Sequence, residues 1–422
     1  MASARIGALL SAALVACSLG VAHGAGATTH AWDVTDVTKL AAIAYPAFKY
    51  DSPLGMTSDD RIYWLSSGKE GGLSRELFEW QNGTISDLGT VPFLSGGVND
   101  RGAVVGSDDF APYGAGGKPP IHLYLWQNGT LTTLGTFAYA AVAGFNDRGQ
   151  VVEEFADAPH ELHAALWDDG RTIDLGSLGG KWSSALAMNN RGQVVGASLP
   201  AKGRLHAFLW QRRKMTDLGT LRGDYSQAVA LNDRGQVVGY WGTWGSRPLR
   251  AFLWQNGRAG DLGRVSDPLL LPIAINNRGQ VIRSRSGSLG ANVGVLWQQG
   301  RTIDLGDFGG GQTWPLAIND RGQIVGTSAV RGSTLADPQV RAFLWENGKM
   351  TALPGPVSYF DPWMSIDPGG THIVASVAGS PSAQLLLWTR RRASHDPRLE
   401  RGPLQQGDGR EAARDARRRT PE

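Results

Sequence analysis

Large aromatic residues recur in polar, glycine-rich stretches of the sequence, where their rings could stack on a sugar or contact a partner protein. Two of them, Trp241 and Trp244 in the run YWGTW, lie where neighbouring segments differ in length and content. The flanking glycines cannot bury two indoles, so we expect both side chains to be exposed. The predicted ligand-binding residues are Trp182, Tyr225, Trp241, Trp244, Trp314 and Trp363.

Four aromatic residues share one spacing, seven residues before the Asn or Asp that begins a tight turn; they are Tyr139, Trp182, Tyr225 and Phe360. This regularity fits two roles. The rings could form stacking platforms around a channel mouth, or they could pack each repeat against the next. Packing is the preferred role for this regular set, which leaves Trp241 and Trp244 as the main candidates for binding.

The histidines and acidic residues form no pattern that is typical of a catalytic or metal site. Three histidines hold one position in successive repeats, too far apart for shared metal bonds of about 2 Å; they are His122, His163 and His206. A hydrogen-bonding cap at the start of a strand is their expected role. The Asp of the repeated Asp-Leu-Gly is expected to bond the turn that follows it. We predict no catalytic residue, no metal ligand and no cofactor.

One acidic cluster replaces a strand end that is apolar in the other repeats. It consists of Glu153, Glu154, Asp157, His160 and Glu161. Such a group could hold a cation or supply an acid/base pair. A solvated loop is the preferred interpretation.

The elements that must position these residues come from one repeated unit, best preserved in residues 206–239. The unit alternates apolar and polar residues with the period of β-strands. Asn-Gly or a near variant follows the tryptophan of most units and predicts a two-residue hairpin. Asn-Asp-Arg-Gly before Gln-Val-Val-Gly predicts a type I turn followed by glycine in the left-handed region. Each unit therefore contains four short strands, with two tight turns on one side and two variable connections on the other.

The copies of this unit recur at intervals of 41 to 48 residues. They are marked by Trp80, Trp126, Trp167, Trp210, Trp254, Trp297, Trp345 and Trp388. A period of about 40 to 50 residues with four strands per repeat is typical of a β-propeller blade. The sequence therefore predicts an all-β propeller of about eight four-stranded blades. Residues 34–40 look like an extra outer strand, which we expect to close the ring by pairing with residues 385–388.

These repeats resemble the HAF-repeat family of probable bacterial extracellular repeat proteins. The resemblance rests on His206-Ala207-Phe208 and its copies, and it covers residues 60–388. Arg250 and Arg341 replace the histidine in two copies, and Val293 replaces it in another. The resemblance implies export and a repeat fold, and it implies no particular reaction.

Residues 1–27 have the features of an export signal, with Arg5 before a short apolar run. Two interpretations remain open. Residues 14–17, Leu-Val-Ala-Cys, resemble a lipobox that would attach a lipid to Cys17, whereas the small residues near 22–27 suit ordinary signal cleavage. Cys17 is the only cysteine, so the mature protein has no internal disulfide and no thiol site. An extracellular or periplasmic location is expected, with an outer-membrane lipoprotein as the alternative.

The basic charge of the chain belongs to its end. Residues 390–422 contain ten Arg and six Asp or Glu, a net charge of +4, whereas the whole chain carries +3. This segment has few apolar residues and is expected to be a disordered tail. Residues 28–389, the predicted propeller, are therefore close to neutral, and no nucleic-acid partner is expected.

The pattern favours an exported, non-catalytic and monomeric propeller that recognises a carbohydrate or protein partner through its variable connections. Two alternatives stay open, a secreted polysaccharide-active hydrolase or lyase and a structural envelope protein. An enzyme would need carboxylates that converge at the channel mouth, and the repeats are expected to supply none.

Overall fold

In the computed structural model, the described residues are 32–44, 50–67, 75–108, 121–137, 140–158, 161–245, 249–265, 274–287, 291–334, 339–357, 363–377 and 384–391. The export signal with Cys17, the tail from residue 392 onward, Tyr139 and Phe360 lie outside them. None of the described helices is long and apolar enough to cross a membrane.

The described strands form eight four-stranded antiparallel blades, as the spacing of the tryptophans predicts. The chain begins with β1 (Trp32–Asp36) and α1 (Val37–Ala44). Blade 1 follows with β2 (Tyr50–Met56), β3 (Ile62–Ser67), β4 (Arg75–Gln81) and β5 (Thr84–Val91). Blade 2 contains β6 (Ser95–Val98), β7 (Val104–Ser107), β8 (Ile121–Gln127) and β9 (Thr130–Phe137). Blade 3 contains β10 (Ala140–Phe145), β11 (Val151–Ala158), β12 (Glu161–Asp168) and β13 (Arg171–Asp174). Blade 4 contains β14 (Gly179–Met188), β15 (Val194–Pro200), β16 (His206–Gln211) and β17 (Lys214–Gly219).

The second half of the chain repeats this arrangement. Blade 5 contains β18 (Tyr225–Leu231), β19 (Val237–Gly242), β20 (Arg250–Gln255) and β21 (Arg258–Arg264). Blade 6 contains β22 (Ala274–Ile275), β23 (Val281–Ser286), β24 (Asn292–Gln298) and β25 (Arg301–Asp304). Blade 7 contains β26 (Gly309–Ile318), β27 (Ile324–Val330), β28 (Val340–Glu346) and β29 (Lys349–Ala352). Blade 8 contains β30 (Met364–Ile366), β31 (His372–Val377) and β32 (Gln384–Arg390), and β1 is its fourth strand.

The first strand of the chain completes the last blade. β1 pairs antiparallel with β32, and Val34 lies opposite Trp388. The expected strand over residues 34–40 is wrong in its second half, because α1 begins at Val37. Asp36 caps this helix by accepting a hydrogen bond from the backbone N–H of Lys39 at 3.0 Å, and the capping ends the strand. Val37 then packs, fully buried, with apolar side chains of blades 1 and 8.

Apolar side chains on both faces of each blade hold neighbouring blades together. In β19, Val237 packs with side chains of blade 4, and the next residue, Val238, packs with side chains of blade 6. Gly239 then lies so close to the inner strand that an added Cβ would be 2.0 Å from the carbonyl oxygen of Gln227. The repeated Val-Val-Gly is therefore a packing requirement, since two valines fill two interfaces and the glycine admits the inner strand.

Both predicted tight turns are present and lie on the same side of the blades, which we call the turn face. In the outer hairpin of blade 1, Asn82 and Gly83 have φ values of 49° and 85°, as a type I′ turn requires. In the inner turn of blade 5, the N–H of Gly235 donates to the carbonyl of Asn232 at 2.9 Å, with φ of 77° at the glycine. The variable connections lie on the opposite side, the loop face.

The histidine of the repeat has the structural role that was expected. His206 Nδ1 lies 2.8 Å from Asp217 Oδ2, and Asp217 Oδ1 accepts the N–H of Gly219 at 2.7 Å. In blade 5, Arg250 Nε takes the place of the imidazole at 2.8 Å from Asp261 Oδ2. The repeated Asp therefore bonds its own turn and a side-chain nitrogen on the adjacent strand, which explains why His and Arg both occur there.

Candidate functional site

The structure separates the two tryptophans that were expected to bind together. Trp241 is 7% exposed and packs with side chains of blades 4 and 5, under the guanidinium of Arg250 at 5.8 Å. The expectation that Trp241 is exposed is wrong, because β19 continues to Gly242 and its alternation turns Trp241 to the same face as Val237. Trp241 is therefore a packing residue.

Trp244 is exposed on the loop face, as the sequence predicts, with 38% of its surface accessible. Its ring lies edge-on to Tyr225 at 5.2 Å, and the guanidinium of Arg204 lies 5.5 Å from its centre. Asp224 accepts the backbone N–H of Trp244 at 2.7 Å. The remaining predicted binding aromatics are neither fully buried nor fully exposed; they are Trp182, Trp314 and Trp363.

The acidic cluster contains one residue that is not solvated at all. Glu153 is 0% exposed, and neither carboxyl oxygen has a hydrogen-bond partner among the described residues. It occupies the position of Gly239 in blade 5, within the interface between blades. Burial raises the pKa of Glu153 to about 7. The interpretation as a solvated loop is wrong for Glu153, while the side chains of the other four residues lie outside the described ones.

The inner turns form a continuous set of contacts between blades, which we call the amide ring. The side-chain Nδ2 of the first turn residue donates to the backbone carbonyl of the corresponding residue in the next blade. For Asn189, the acceptor is the carbonyl of Asn232 at 2.9 Å. The donors of the ring are Asn99, Asn146, Asn189, Asn232, Asn276 and Asn319.

The second turn residue adds a parallel set of contacts. Its Oδ1 accepts the backbone N–H of the second turn residue in the preceding blade, as Asp233 does from Asn190 at 2.9 Å. These acceptors are Asp100, Asp147, Asn190, Asp233, Asn277 and Asp320. The repeated Asn-Asp therefore fixes the position of each blade relative to the next.

These turns enclose a cavity of about 370 Å³ on the turn face, where blades 4 to 8 meet. Its apolar lining is Met188, Leu231, Ile275, Ile318, Ile366 and Pro368, and its polar lining is Asn189, Asn190, Asn232, Asp233, Asn276, Asn277, Asn319 and Asp320. We call it the axial cavity. The expectation that the repeats bring no carboxylates to the channel mouth is wrong, because the turn places Asp233 and Asp320 there. The sequence signal was the recurring Asp of Asn-Asp-Arg-Gly, which sequence reasoning assigned to the turn alone.

The two carboxylates of the axial cavity have different surroundings. Both oxygens of Asp320 are occupied by Asn277, whose backbone N–H donates at 2.7 Å and whose Nδ2 donates at 3.1 Å. Asp233 uses only Oδ1, which accepts the N–H of Asn190. Within the described part of the chain, Oδ2 of Asp233 has no recorded hydrogen bond. One carboxylate is thus held in a fixed orientation, and the other has an oxygen available for a ligand.

A second polar group lies where blade 8 meets blade 1. Ligand atoms of Asp60, Asp367 and His372 lie within 4.8 Å of one another. His372 Nδ1 is 3.1 Å from Asp60 Oδ2. Burial raises the pKa of Asp60, and the nearby charge of Asp367 adds to the increase, whereas His372 opposes it. Sequence reasoning missed this group, because 307 positions separate Asp60 from Asp367.

Comparisons with known proteins bear on the fold. No family model and no curated protein matches the sequence. Among solved structures, the β-propeller domain of the trilobed protease from Pyrococcus furiosus is similar with 10% identity and a TM-score of 0.46, over 73% of this chain and 98% of that one. A structure from an analysis of two prolyl endopeptidases is similar with 11% identity and a TM-score of 0.47, over 81% of this chain and 54% of that chain. An oligogalacturonate lyase in complex with manganese is similar at 10% identity and a TM-score of 0.45, over 85% and 93%.

At such identities these likenesses concern the fold, and the chain has the fold of a β-propeller. The prediction of a non-catalytic binding propeller is corrected here. Its reason was the expected absence of carboxylates at the channel mouth, whereas Asp233 and Asp320 lie there. The alternative expectation, a hydrolase or lyase, was the one that required carboxylates at this place.

Proposed function

We propose that the protein is an exported, polysaccharide-active hydrolase or lyase with its reaction centre in the axial cavity. The observation that carries this proposal is the presence of Asp233 and Asp320 in one cavity, with different hydrogen-bond surroundings. Breaking a glycosidic bond by either route requires a group that transfers a proton and a group that stabilises charge. The two carboxylates meet these requirements without a cofactor.

The lining of the axial cavity suits a sugar. Its volume of about 370 Å³ is within the usual range of small-molecule sites. Carboxamides such as those of Asn190 and Asn277 can both donate to and accept from hydroxyl groups. The apolar floor, which includes Leu231 and Ile275, can contact the C–H face of a pyranose ring.

The hydrogen bonds of the two carboxylates support separate roles. Asp233 has an oxygen available to give or take a proton, so it is the general acid or base of the proposal. Asp320 is oriented by two N–H donors of Asn277, which suits a carboxylate that stabilises positive charge on the reacting sugar. In a lyase, Asp233 would instead remove the proton next to a uronic-acid carboxyl group.

The remaining features of the proposal rest on the sequence. The export signal and the likeness to HAF repeats support an extracellular or periplasmic location, where polysaccharides are accessible. Cys17 is the proposed lipid attachment point if the lipobox is used. We also propose that the protein is a monomer and has no nucleic-acid partner, as the sequence predicts.

The test is a panel of neutral and uronic-acid polysaccharides incubated with the purified protein. New reducing ends without ultraviolet absorption indicate hydrolysis, and new reducing ends with absorption from an unsaturated uronate indicate a lyase. We expect Asp233→Asn to lower the rate by about a hundredfold or more, as the loss of a positioned proton-transfer group does.

Asp147→Asn is the matched control. Asp147 holds the same turn position in blade 3, and its Oδ1 accepts the N–H of Asp100 at 2.9 Å, but it does not line the axial cavity. Its variant is expected to keep the wild-type rate. An equal loss in both variants would assign Asp233 to the fold alone, and a panel without any cleaved polysaccharide would contradict the proposed function.

A further inference from the structure

The contact between blades 8 and 1, which we call the seam, is built differently from the others. From blade 2 through to blade 8, a neutral asparagine side chain crosses to the carbonyl of the next blade. The amide ring ends one contact earlier, between blades 7 and 8, where Nδ2 of Asn319 donates to the carbonyl of Asp367 at 3.0 Å. Blade 8 then presents Asp367 and His372 to Asp60 of blade 1. Carboxylates and an imidazole thus replace the amide contact.

Asp367 is the most firmly held of the three residues. It is buried, and its Oδ1 accepts the backbone N–H groups of Thr371 and His372, both at 2.7 Å. The hydroxyl of Thr371 donates to Oδ2 at 3.0 Å. These bonds leave the lone pairs of Oδ2 partly available and fix the direction in which they point.

Asp60 is the residue whose hydrogen bonds are incomplete. Oδ2 lies 3.1 Å from His372 Nδ1, whereas Oδ1 is buried and has no hydrogen-bond partner among the described residues. The nearest basic neighbour in sequence, Arg61, is already engaged with Asp59, with 3.0 Å between Nε and Oδ1. A buried carboxylate oxygen without a partner is costly in a protein, and a cation would remove that cost.

The geometry points to a site for a divalent transition-metal cation at the seam, held by Asp60, Asp367 and His372. Two carboxylates and one imidazole, with their ligand atoms within 4.8 Å of one another, form a mixed oxygen and nitrogen set. Imidazole favours Zn²⁺ and similar transition metals, whereas Ca²⁺ and Mg²⁺ favour oxygen ligands alone. None of the three residues lines the axial cavity, so the site does not depend on the proposed function.

The competing explanation is a purely structural pair in which His372 bonds Asp60. That pair would also hold the seam together, but it would bind no metal. The two explanations differ in a direct measurement. A metal site should bind one Zn²⁺ per chain in a saturable way, whereas a purely structural pair of His372 and Asp60 should not.

The experiment uses the untagged, chelator-treated full-length protein and titrates it with ZnCl₂ by calorimetry. CoCl₂ is used in parallel, because Co²⁺ bound to nitrogen and oxygen ligands gives visible absorption bands. Asp60→Asn and His372→Gln are the test variants. Asn is suited to position 60, where φ is 66°, because Asn tolerates the left-handed region. Asp59→Asn is the matched control, with the same charge change one residue away and outside the site.

We expect one Zn²⁺ per wild-type chain and per Asp59→Asn chain. We expect at least about tenfold weaker binding in both test variants, since even the loss of an outer hydrogen-bond partner of a metal ligand costs that much. Stoichiometric binding that is unchanged in both test variants, or no saturable binding by the wild type, would overturn the site. Activity on polysaccharides that persists after chelation would leave the proposed function intact, and Zn²⁺ binding without such activity would leave the site intact.

Discussion

Glu153 makes the stability of the folded protein depend on pH. Its pKa is raised from 4.5 to about 7 in the folded state because it is buried without a partner. The folded protein therefore holds a proton that the unfolded chain has already released. Stability from this group is fully present below pH of about 4.5 and is lost as the pH rises to about 7.

We therefore predict that Glu153→Gln stabilises the protein at pH 8, by on the order of 3 kcal/mol, and has little effect at pH 4. The measurement is urea unfolding at both pH values. Asp169→Asn, an exposed substitution in the same blade, is the control and should change neither value. A Glu153→Gln effect that is the same at both pH values would show that the carboxyl does not titrate in this range.

The tryptophans give a second prediction for single residues. Trp241 and Trp210 are both buried, at 7% and 6% exposed, so Trp241→Ala and Trp210→Ala should each destabilise by roughly 3 to 5 kcal/mol. Trp244→Ala should cost much less, since the side chain is exposed. Thermal melts of the three variants decide the point, and a melt of Trp244→Ala as low as that of Trp241→Ala would contradict it.

Residues whose function depends on neighbours in the same repeat could be predicted from the sequence. The hydrogen-bonding role of His206 and the turn-bonding role of Asp217 were two such cases, although the contact between them was not predicted. Trp241 was misjudged because its strand is longer than the repeat suggests. Asp60 and His372 could not be paired in advance, because the predicted ring closure states that the first and last blades meet but not which of their side chains make contact.

At the scale of elements, β1 and α1 are the parts most open to test. β1 supplies the fourth strand of blade 8, and Val37 of α1 packs with side chains of blades 1 and 8. Deleting residues 28–41 should therefore lower the melting temperature sharply, because it exposes the edge of β32 and uncovers this apolar cluster. Deleting residues 393–422, whose composition cannot form a core, is the control and should leave it unchanged. Equal melting temperatures for both deletions would show that β1 adds no stability.

The strands were predictable because turns of fixed length set their ends. Asn-Gly and Asn-Asp-Arg-Gly each require particular φ values, and these positions are where the hairpins occur. The helix was not predictable from the same pattern, since residues 34–40 look like a copy of the outer strand. A helix forms instead, because Asp36 caps it by accepting the backbone N–H of Lys39 and because Val37 is buried.

At the scale of the whole molecule, the amide ring should contribute to stability beyond any one blade. Asn232 donates to Asn276 of the next blade at 2.9 Å and accepts the N–H groups of Arg234 and Gln236 in its own turn. Asn232→Ala leaves these buried groups without partners, at a cost of roughly 2 to 4 kcal/mol. Urea unfolding measures the loss. Arg234→Ala, an exposed change in the same turn, should stay within about 0.5 kcal/mol, and a similar loss there would assign the effect to the turn alone.

The amide ring also has a direction. Every side-chain donor reaches forward along the chain, from Asn99 toward Asn146 and onward to Asp367, so the bond dipoles run around the axis in one rotational sense. Eight equal dipoles placed head to tail around a circle would sum to zero. The amide ring has six of these eight contacts, so its net dipole is equal in size and opposite in direction to the sum of the two missing ones. Those two positions flank blade 1. The residual dipole of the amide ring is therefore set by where the ring is interrupted.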